Sequence, residues 1–299
     1  EKPERAERGW PLIKGGNRVE IQWYPGHMAK TKRELKAVLP SLDLVIEVTD
    51  ARIPASGRNP DLLGLVEKKA RILILNKVDL ADPLVTGEWV AYYRSSGEKV
   101  ISFEARTGKK LAALENLIDQ VARESLPLKA VWRLGVVGVP NCGKSSVLNR
   151  LARRSAARVG ERPGITRGKQ WVKRGKWEIL DTPGLLWPKI VNQETALKLA
   201  LVGTIKPENL DTEELILAFL GWLQKNHPAP LRDYYGLGPM TTKGHPYDLL
   251  LAIGRRRGCL QKGGEVNLLR TAEMVWSDFR LGKLGPMTLE KPIASPVSS

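Results

Sequence analysis

From Asp43 onward the apolar positions follow two periods. Residues 44–50 (LVIEVTD) form a short apolar run bounded by a polar loop over 52–60, which predicts a buried strand. Leu62, Leu63, Leu65 and Val66 then recur at helical spacing. A second strand is predicted at 71–75, a helix around 84–97 and a third strand at 100–103. Leu111, Leu114, Leu117, Ile118 and Val121 share one helical face. A fourth strand at 133–139 precedes a helix at 144–154, and two more strands follow at 170–174 and 177–181. Strands alternating with helices predict an α/β fold, a mostly parallel sheet with helices on both faces. After Trp187 the strand signal stops. Residues 194–202, 214–224, 246–258 and 268–282 read as helices, so an all-helical C-terminal domain should begin near 190. The expected division is a flexible basic arm at 1–22, an α/β domain at 23–190, a helical domain at 191–285 and a disordered Pro/Ser-rich tail at 286–299.

Composition changes this picture little, and charge changes it more. A hydrophobic fraction of 42% is ample for two cores. No run of 18 apolar residues occurs, so no membrane span is expected. The start has no apolar h-region, and Glu1, Glu4 and Glu7 argue against a transit peptide. Cys142 and Cys259 have no metal-ligand spacing, which points to a cytoplasmic protein without disulfides. The net charge is +16, and residues 129–190 alone hold 14 Lys+Arg against 3 Asp+Glu. Residues 191–299 hold 13 against 11. One bound nucleotide does not need such an excess, so a nucleic acid is the expected partner, touching the α/β domain itself.

The candidate chemistry lies between the predicted elements. Gly138-Val139-Pro140-Asn141-Cys142-Gly143-Lys144-Ser145 matches G-x-x-x-x-G-K-[ST], with a strand before it and a helix after it. Such a loop curls its N–H groups around a β-phosphate at a helix N-terminus. Lys144 is expected on the β- and γ-phosphates, Ser145 on Mg²⁺, and Ser146 beside the nucleotide. Cys142 reads as a small residue that fits the loop. Asp181-Thr182-Pro183-Gly184 ends a strand, placing Asp181 for the metal's water shell and the Gly184 N–H for the γ-phosphate. Thr166, between them, is the candidate second hydroxyl on Mg²⁺. Asn76-Lys77-Val78-Asp79 follows a strand. A carboxylate at Asp79 can accept both the N1–H and the 2-amino protons of guanine, a pair that adenine lacks. Asn76 can bond N7, the Lys77 stem can cover the ring, and a main-chain N–H near Ala105 can back the base. GTP is therefore preferred over ATP.

The order is unusual, because the base-reading motif comes before the phosphate loop. The set resembles the circularly permuted GTPases. With Trp23-Tyr24-Pro25-Gly26-His27-Met28-Ala29-Lys30, VIEVTDARIPASGRNP (45–60), PGITR and ETALKLALVGTI (194–205), it is similar to the RbgA/YlqF ribosome-biogenesis GTPases. That resemblance covers about residues 21 to 290. It implies a permuted P-loop GTPase domain followed by a helical RNA-binding domain, acting as a GTP hydrolase in late assembly of the large ribosomal subunit. The subunit and its rRNA would be the partners and would stimulate hydrolysis. A monomer is expected.

The resemblance also implies further residues. Leu185 stands where many GTPases keep a water-orienting Gln, and His27 is the implied substitute. Asn141 implies K⁺ between the phosphates. Arg255, Arg256 and Arg257, with Arg167 and Lys169, are the candidate RNA contacts. Two rival readings stay open: a GTP-gated RNA-binding placeholder with incidental hydrolysis, and a GTPase acting on another RNA such as tRNA.

Overall fold

The computed structural model describes residues 33–156, 171–182, 192–205, 211–239 and 241–293. These fall into two compact units. One lies within Trp23–Ile190 and Pro286–Ser299, the other within Val191–Gly285.

The first unit is built on six strands: β1 Leu44–Asp50, β2 Ala70–Asn76, β3 Val100–Phe103, β4 Trp132–Val137, β5 Trp171–Arg174 and β6 Trp177–Asp181. Their order is β3-β2-β1-β4-β6-β5. All neighbours are parallel except β5 and β6, which pair antiparallel across the tight turn at Gly175. β1 is central and buried along its whole length, which is why its sequence is an apolar run rather than an alternation. Among the described residues this unit includes the helices α1 Pro60–Val66, α2 Pro83–Ser95, α3 Leu111–Ser125 and α4 Lys144–Ala156, besides a helical stretch at 33–38 ahead of β1. Asn59 and Asp82 cap α1 and α2 with their side chains, and a proline stands in the first turn of each. α1 packs on Val45, Val137 and Leu180, and α2 on Leu73, Leu75 and Val100. The alternate residues Ile46, Val48, Ile72, Ile74, Leu134, Val136 and Ile179 are buried too, and α3 and α4 pack on the strands that carry them.

The second unit is helical, with α5 Gln193–Leu201, α6 Thr212–Asn226, α7 Ala229–Asp233, α8 Pro246–Arg256 and α9 Leu268–Arg280. Asn192, Asp211, His245 and Asn267 each accept a backbone N–H at a helix start. Phe219 packs its ring 4.9 Å from Phe279. Leu215, Leu223, Leu249, Ile253 and Val275 complete the buried core. The short α7 had no periodic signal to announce it.

The expectation of disorder from residue 286 is corrected. Residues 286–293 lie against the α/β unit, with Met287, Thr288 and Leu289 buried. The Met287 N–H donates to the Leu80 carbonyl at 3.1 Å and the Leu289 N–H to the Arg52 carbonyl at 2.8 Å. The Glu290 carboxylate accepts from the Ala55 and Ser56 N–H groups and from the Ser56 hydroxyl. Trp89 donates its indole N–H to the Glu290 carbonyl at 3.1 Å. Loop carbonyls and amides that would otherwise need water find partners in this strap, and its Met and Leu gain apolar cover. A Pro/Ser count along the chain could not foresee that. Residues 294–299 lie outside the described residues.

Candidate nucleotide-binding site

The site forms where β1, β2, β3 and β4 end, the edge of a parallel sheet at which ligands gather. Register brings Asp50 opposite Asn76 and Asn76 opposite Phe103. Two motifs distant in sequence therefore meet.

β4 runs into the phosphate loop through Gly138, whose φ is +148°. A Cβ there would lie 2.3 Å from the Val48 carbonyl oxygen, so only glycine lets the loop pass β1. Gly143 has φ +101°, and a Cβ would sit 2.2 Å from Asn76 Nδ2. Asn141 between them holds φ +61°. Cys142 is buried, and burial pushes its thiol up, as expected of a packing residue rather than a nucleophile. α4 starts at Lys144, whose Nζ donates to the Val139 carbonyl at 2.9 Å. Ser145 and Ser146 are exposed in the first turn.

Asn76 is 2% exposed and works as a brace. Its Nδ2 donates to the Cys142 carbonyl at 2.9 Å, and its Oδ1 accepts the Ala105 N–H at 3.1 Å. One Nδ2 proton is enough for Cys142, so the second can still meet a base. Lys77, at φ +60°, donates from Nζ to the Asn141 carbonyl at 2.6 Å and pairs with Asp50 Oδ2 at 3.0 Å. Asp50 is itself gripped by Arg52, through Nε at 3.0 Å, Nη2 at 2.8 Å and the backbone N–H at 3.1 Å. Burial alone would push the Asp50 carboxyl up. The Arg52 guanidinium and Lys77 ammonium outweigh it and hold the group well below the usual carboxylate range. Behind this pair a second ion cluster anchors the 52–60 loop: Arg58 bonds Glu47 at 2.8 Å and Glu98 at 2.7 Å, with its guanidinium 4.9 Å from the Tyr93 ring centre.

A pocket of about 360 Å³ opens beside these groups, walled by Asn76, Lys77, Asp79, Ala105, Gly143 and Ser146, and also by Arg106, Asn149 and Arg150. Asp79 is paired with Arg106 Nε at 3.4 Å. Arg150 reaches from α4 to the Ala105 carbonyl at 2.8 Å and to the Arg106 carbonyl.

Thus Asn76, Lys77, Asp79, Ala105, Asn141, Cys142, Gly143, Lys144, Ser145 and Ser146 converge at one strand edge. Asp50, Arg52 and Arg150 join them without having been singled out from sequence. Asp50 and Arg52 put opposite charges two residues apart at the end of a buried strand, a signal that could have marked them. Nothing local marked Arg150. His27, Thr166, Arg167, Lys169 and Gly184 lie outside the described residues, as does the Asp181 side chain. Among the described residues no His/Cys/Asp/Glu cluster could hold a metal alone.

Arg255, Arg256 and Arg257 belong to the helical unit and are exposed at the end of α8. Arg257 donates to the Tyr234 carbonyl at 3.1 Å and lies 4.5 Å from the Tyr234 ring centre. The basic excess of residues 129–190 is partly neutralised where it is described. Lys129 pairs with Asp43, Arg133 with Glu178, and Arg174 with Glu115.

Comparison with known proteins decides the family. A family model described as 50S ribosome-binding GTPase matches residues 133–225. Ribosome biogenesis GTPase A of Bacillus pumilus is 41% identical over 283 residues, covering 92% of this chain and 99% of that one. The chain belongs to the ribosome biogenesis GTPase A family, RbgA/YlqF. Mitochondrial ribosome-associated GTPase 1 of Bos taurus is 33% identical over 295 residues, covering 91% of this chain and 89% of that one. The GNP-bound structure of YlqF from Thermotoga maritima superposes with a TM-score of 0.64 at 28% identity, covering 88% of this chain and 98% of that one. The RbgA/YlqF fold is a P-loop GTPase fold, and the placement of the base-reading motif on β2, ahead of the phosphate loop on β4, is its circular permutation. No helix among the described residues is long and apolar enough to cross a membrane.

Proposed function

We propose that this protein hydrolyses GTP to GDP and phosphate and uses that reaction in late assembly of the large ribosomal subunit, in the cytoplasm and as a monomer. The observation that carries the reading is the convergence of Asn76, Lys77 and Asp79 with the phosphate loop at one strand edge, in a chain of the RbgA/YlqF family. Asp79 reads the N1–H and 2-amino group of guanine, Asn76 its N7, and the Lys77 stem covers the ring. Lys144 and the loop N–H groups bear the phosphate charge. Ser145 and Thr166 would hold Mg²⁺, with Asp181 acting through water, and the Gly184 N–H would meet the γ-phosphate. Catalysis is positioning and electrostatics, without a covalent intermediate.

Leu185 cannot orient water, so His27 takes that part, and Asn141 would hold a K⁺ that supplies positive charge to the phosphates. His27→Ala should leave GTP binding intact and abolish hydrolysis stimulated by the subunit. Replacing K⁺ by Na⁺ should slow turnover; unchanged turnover removes K⁺ from the mechanism. RNA is met by Arg255, Arg256 and Arg257 and, on the GTPase unit, by Arg167 and Lys169.

Leu185 also favours a second reading, in which the protein is a GTP-gated placeholder on RNA and hydrolysis is incidental. GTP turnover measured with and without isolated large subunits separates the two. Strong stimulation supports the assembly switch. Tight GTP-dependent binding without stimulation supports the placeholder, and stimulation by tRNA alone would move the activity to another RNA.

A further inference from the structure

Arg150 lies further along α4 than Lys144, on the side that walls the pocket. Its Nε donates to the Ala105 carbonyl at 2.8 Å, and its Nη2 donates to the Arg106 carbonyl. The side-chain stem runs beside Gly108, where a Cβ would come within 3.2 Å of Arg150 Cδ. The same loop is held from the opposite direction, because the Ala105 N–H donates to Asn76 Oδ1 at 3.1 Å.

These contacts fix peptide planes. A trans peptide is flat, and its C=O and N–H point in opposite directions. Asn76 holds the N–H of the plane before Ala105. Arg150 holds the C=O of the plane after it, and so sets where the Arg106 N–H points. By the Arg106 carbonyl it sets the next plane in the same way. Arg106 carries a further consequence, since its guanidinium pairs with Asp79 at 3.4 Å and with Glu104 at 3.6 Å.

We infer that Arg150 is a positioning residue for guanine recognition. It ties the helix that starts at the phosphate loop to the loop after β3 that walls the pocket, whose Arg106 N–H would meet the 6-oxo group of the base in that reading. This rests on the proposed reading of a guanine nucleotide in the pocket. Arg150 need not touch the nucleotide. It acts by holding the amides that do, so its loss should change which base is preferred more than how tightly phosphates are held.

The test uses the full chain and three diphosphates, so that hydrolysis does not intervene: GDP, IDP, and the diphosphate of 2-aminopurine riboside. GDP and IDP differ in the 2-amino group read by Asp79. GDP and the 2-aminopurine nucleotide differ at the 6-oxo group and N1–H. Equilibrium affinities are measured for the wild type and for Arg150→Ala. Arg150→Gln, which keeps one donor, serves in its place if the alanine variant does not fold by circular dichroism. The preference for GDP over the 2-aminopurine nucleotide should shrink about tenfold, the effect of roughly one good hydrogen bond. The GDP-to-IDP ratio should hold. Equal weakening of all three nucleotides would make Arg150 a merely structural residue and overturn the inference, as would an unchanged preference. A wild type that does not prefer guanine nucleotides would overturn the proposed function itself, and that measurement is made before any variant enters.

Discussion

The two units spend their buried volume differently. At the strand edge of the α/β unit, Glu47, Asp50, Arg52, Asn59 and Asn76 are all almost wholly buried, and each has ionic or hydrogen-bonded partners. The helical unit is filled by Leu215, Phe219, Leu223, Leu249, Ile253 and Val275, and its buried charges are few among the described residues, Asp278 with Lys283 and Tyr235 being the clearest case. An apolar core gives stability and a stiff body. A buried polar network holds particular atoms at particular places and tolerates no missing member. The α/β unit therefore carries its precision where a nucleotide would bind, while the helical unit is held by apolar packing.

The largest effect should come from breaking the polar network. Asp50→Ala leaves Arg52 and Lys77 facing each other without the carboxylate, a loss of about 3–5 kcal/mol for a buried pair. Urea unfolding should show it, together with a fall in nucleotide affinity as Lys77 releases the Asn141 carbonyl. Phe219→Ala in the helical unit should cost about as much, roughly 3–5 kcal/mol, through a cavity. Nucleotide affinity at temperatures where both units stay folded should not move. Equal loss of affinity in the two variants would erase the distinction between the units.

Acid gives a third measurement. The folded Asp50 carboxyl lies below its unfolded value, so its contribution is complete above about pH 3.9 and disappears as pH falls through the folded value. Asp50→Asn should thus be less stable than the wild type at neutral pH, and the gap should narrow below pH 4. A gap constant from pH 7 to pH 2 would show that Asp50 does not titrate with folding.

A smaller effect is expected at the strap. Glu290→Ala removes the acceptor of two loop N–H groups and one hydroxyl, about 1–2 kcal/mol, read in urea and in faster hydrogen exchange at Ala55 and Ser56. The smallest concerns the helical unit. Arg257→Ala should change stability by no more than about 0.5–1 kcal/mol, the worth of an exposed cation–π contact, while lowering RNA affinity and its salt dependence.

Much of this was legible in the sequence because it is local. The apolar runs of β1 and β2, the glycines of the phosphate loop and the Asn76–Asp79 motif each announce themselves within a few residues. Gly143 shows the boundary of that legibility. Its need for a positive φ could be read from the motif, but its closeness to Asn76 Nδ2 could not, because β2 and β4 are joined only through the fold. Asp50 and Arg52 are two residues apart, yet their meaning depends on Lys77 arriving from β2. Arg150 gives no local hint, since its partners are carbonyls in a loop after β3. The strap escapes a sequence reading for the same reason: composition describes a segment, and its order is decided by donors and acceptors more than two hundred residues earlier.

That strap also bears on how the protein is made. A chain leaves the ribosome from its N-terminus, at about 5–20 residues per second, and domains fold in turn as they emerge. Here the first strand and the loop after it wait for residues 287–290, which are made only after the helical unit is complete. The α/β unit is thus begun before the helical unit and closed after it. A nascent chain halted after α9 would hold both motifs of its nucleotide pocket but lack the segment that closes the loop beside Asp50. The loop beside Asp50 would close only once the segment after α9 has been made, on a chain whose relatives are named for the machine that translates.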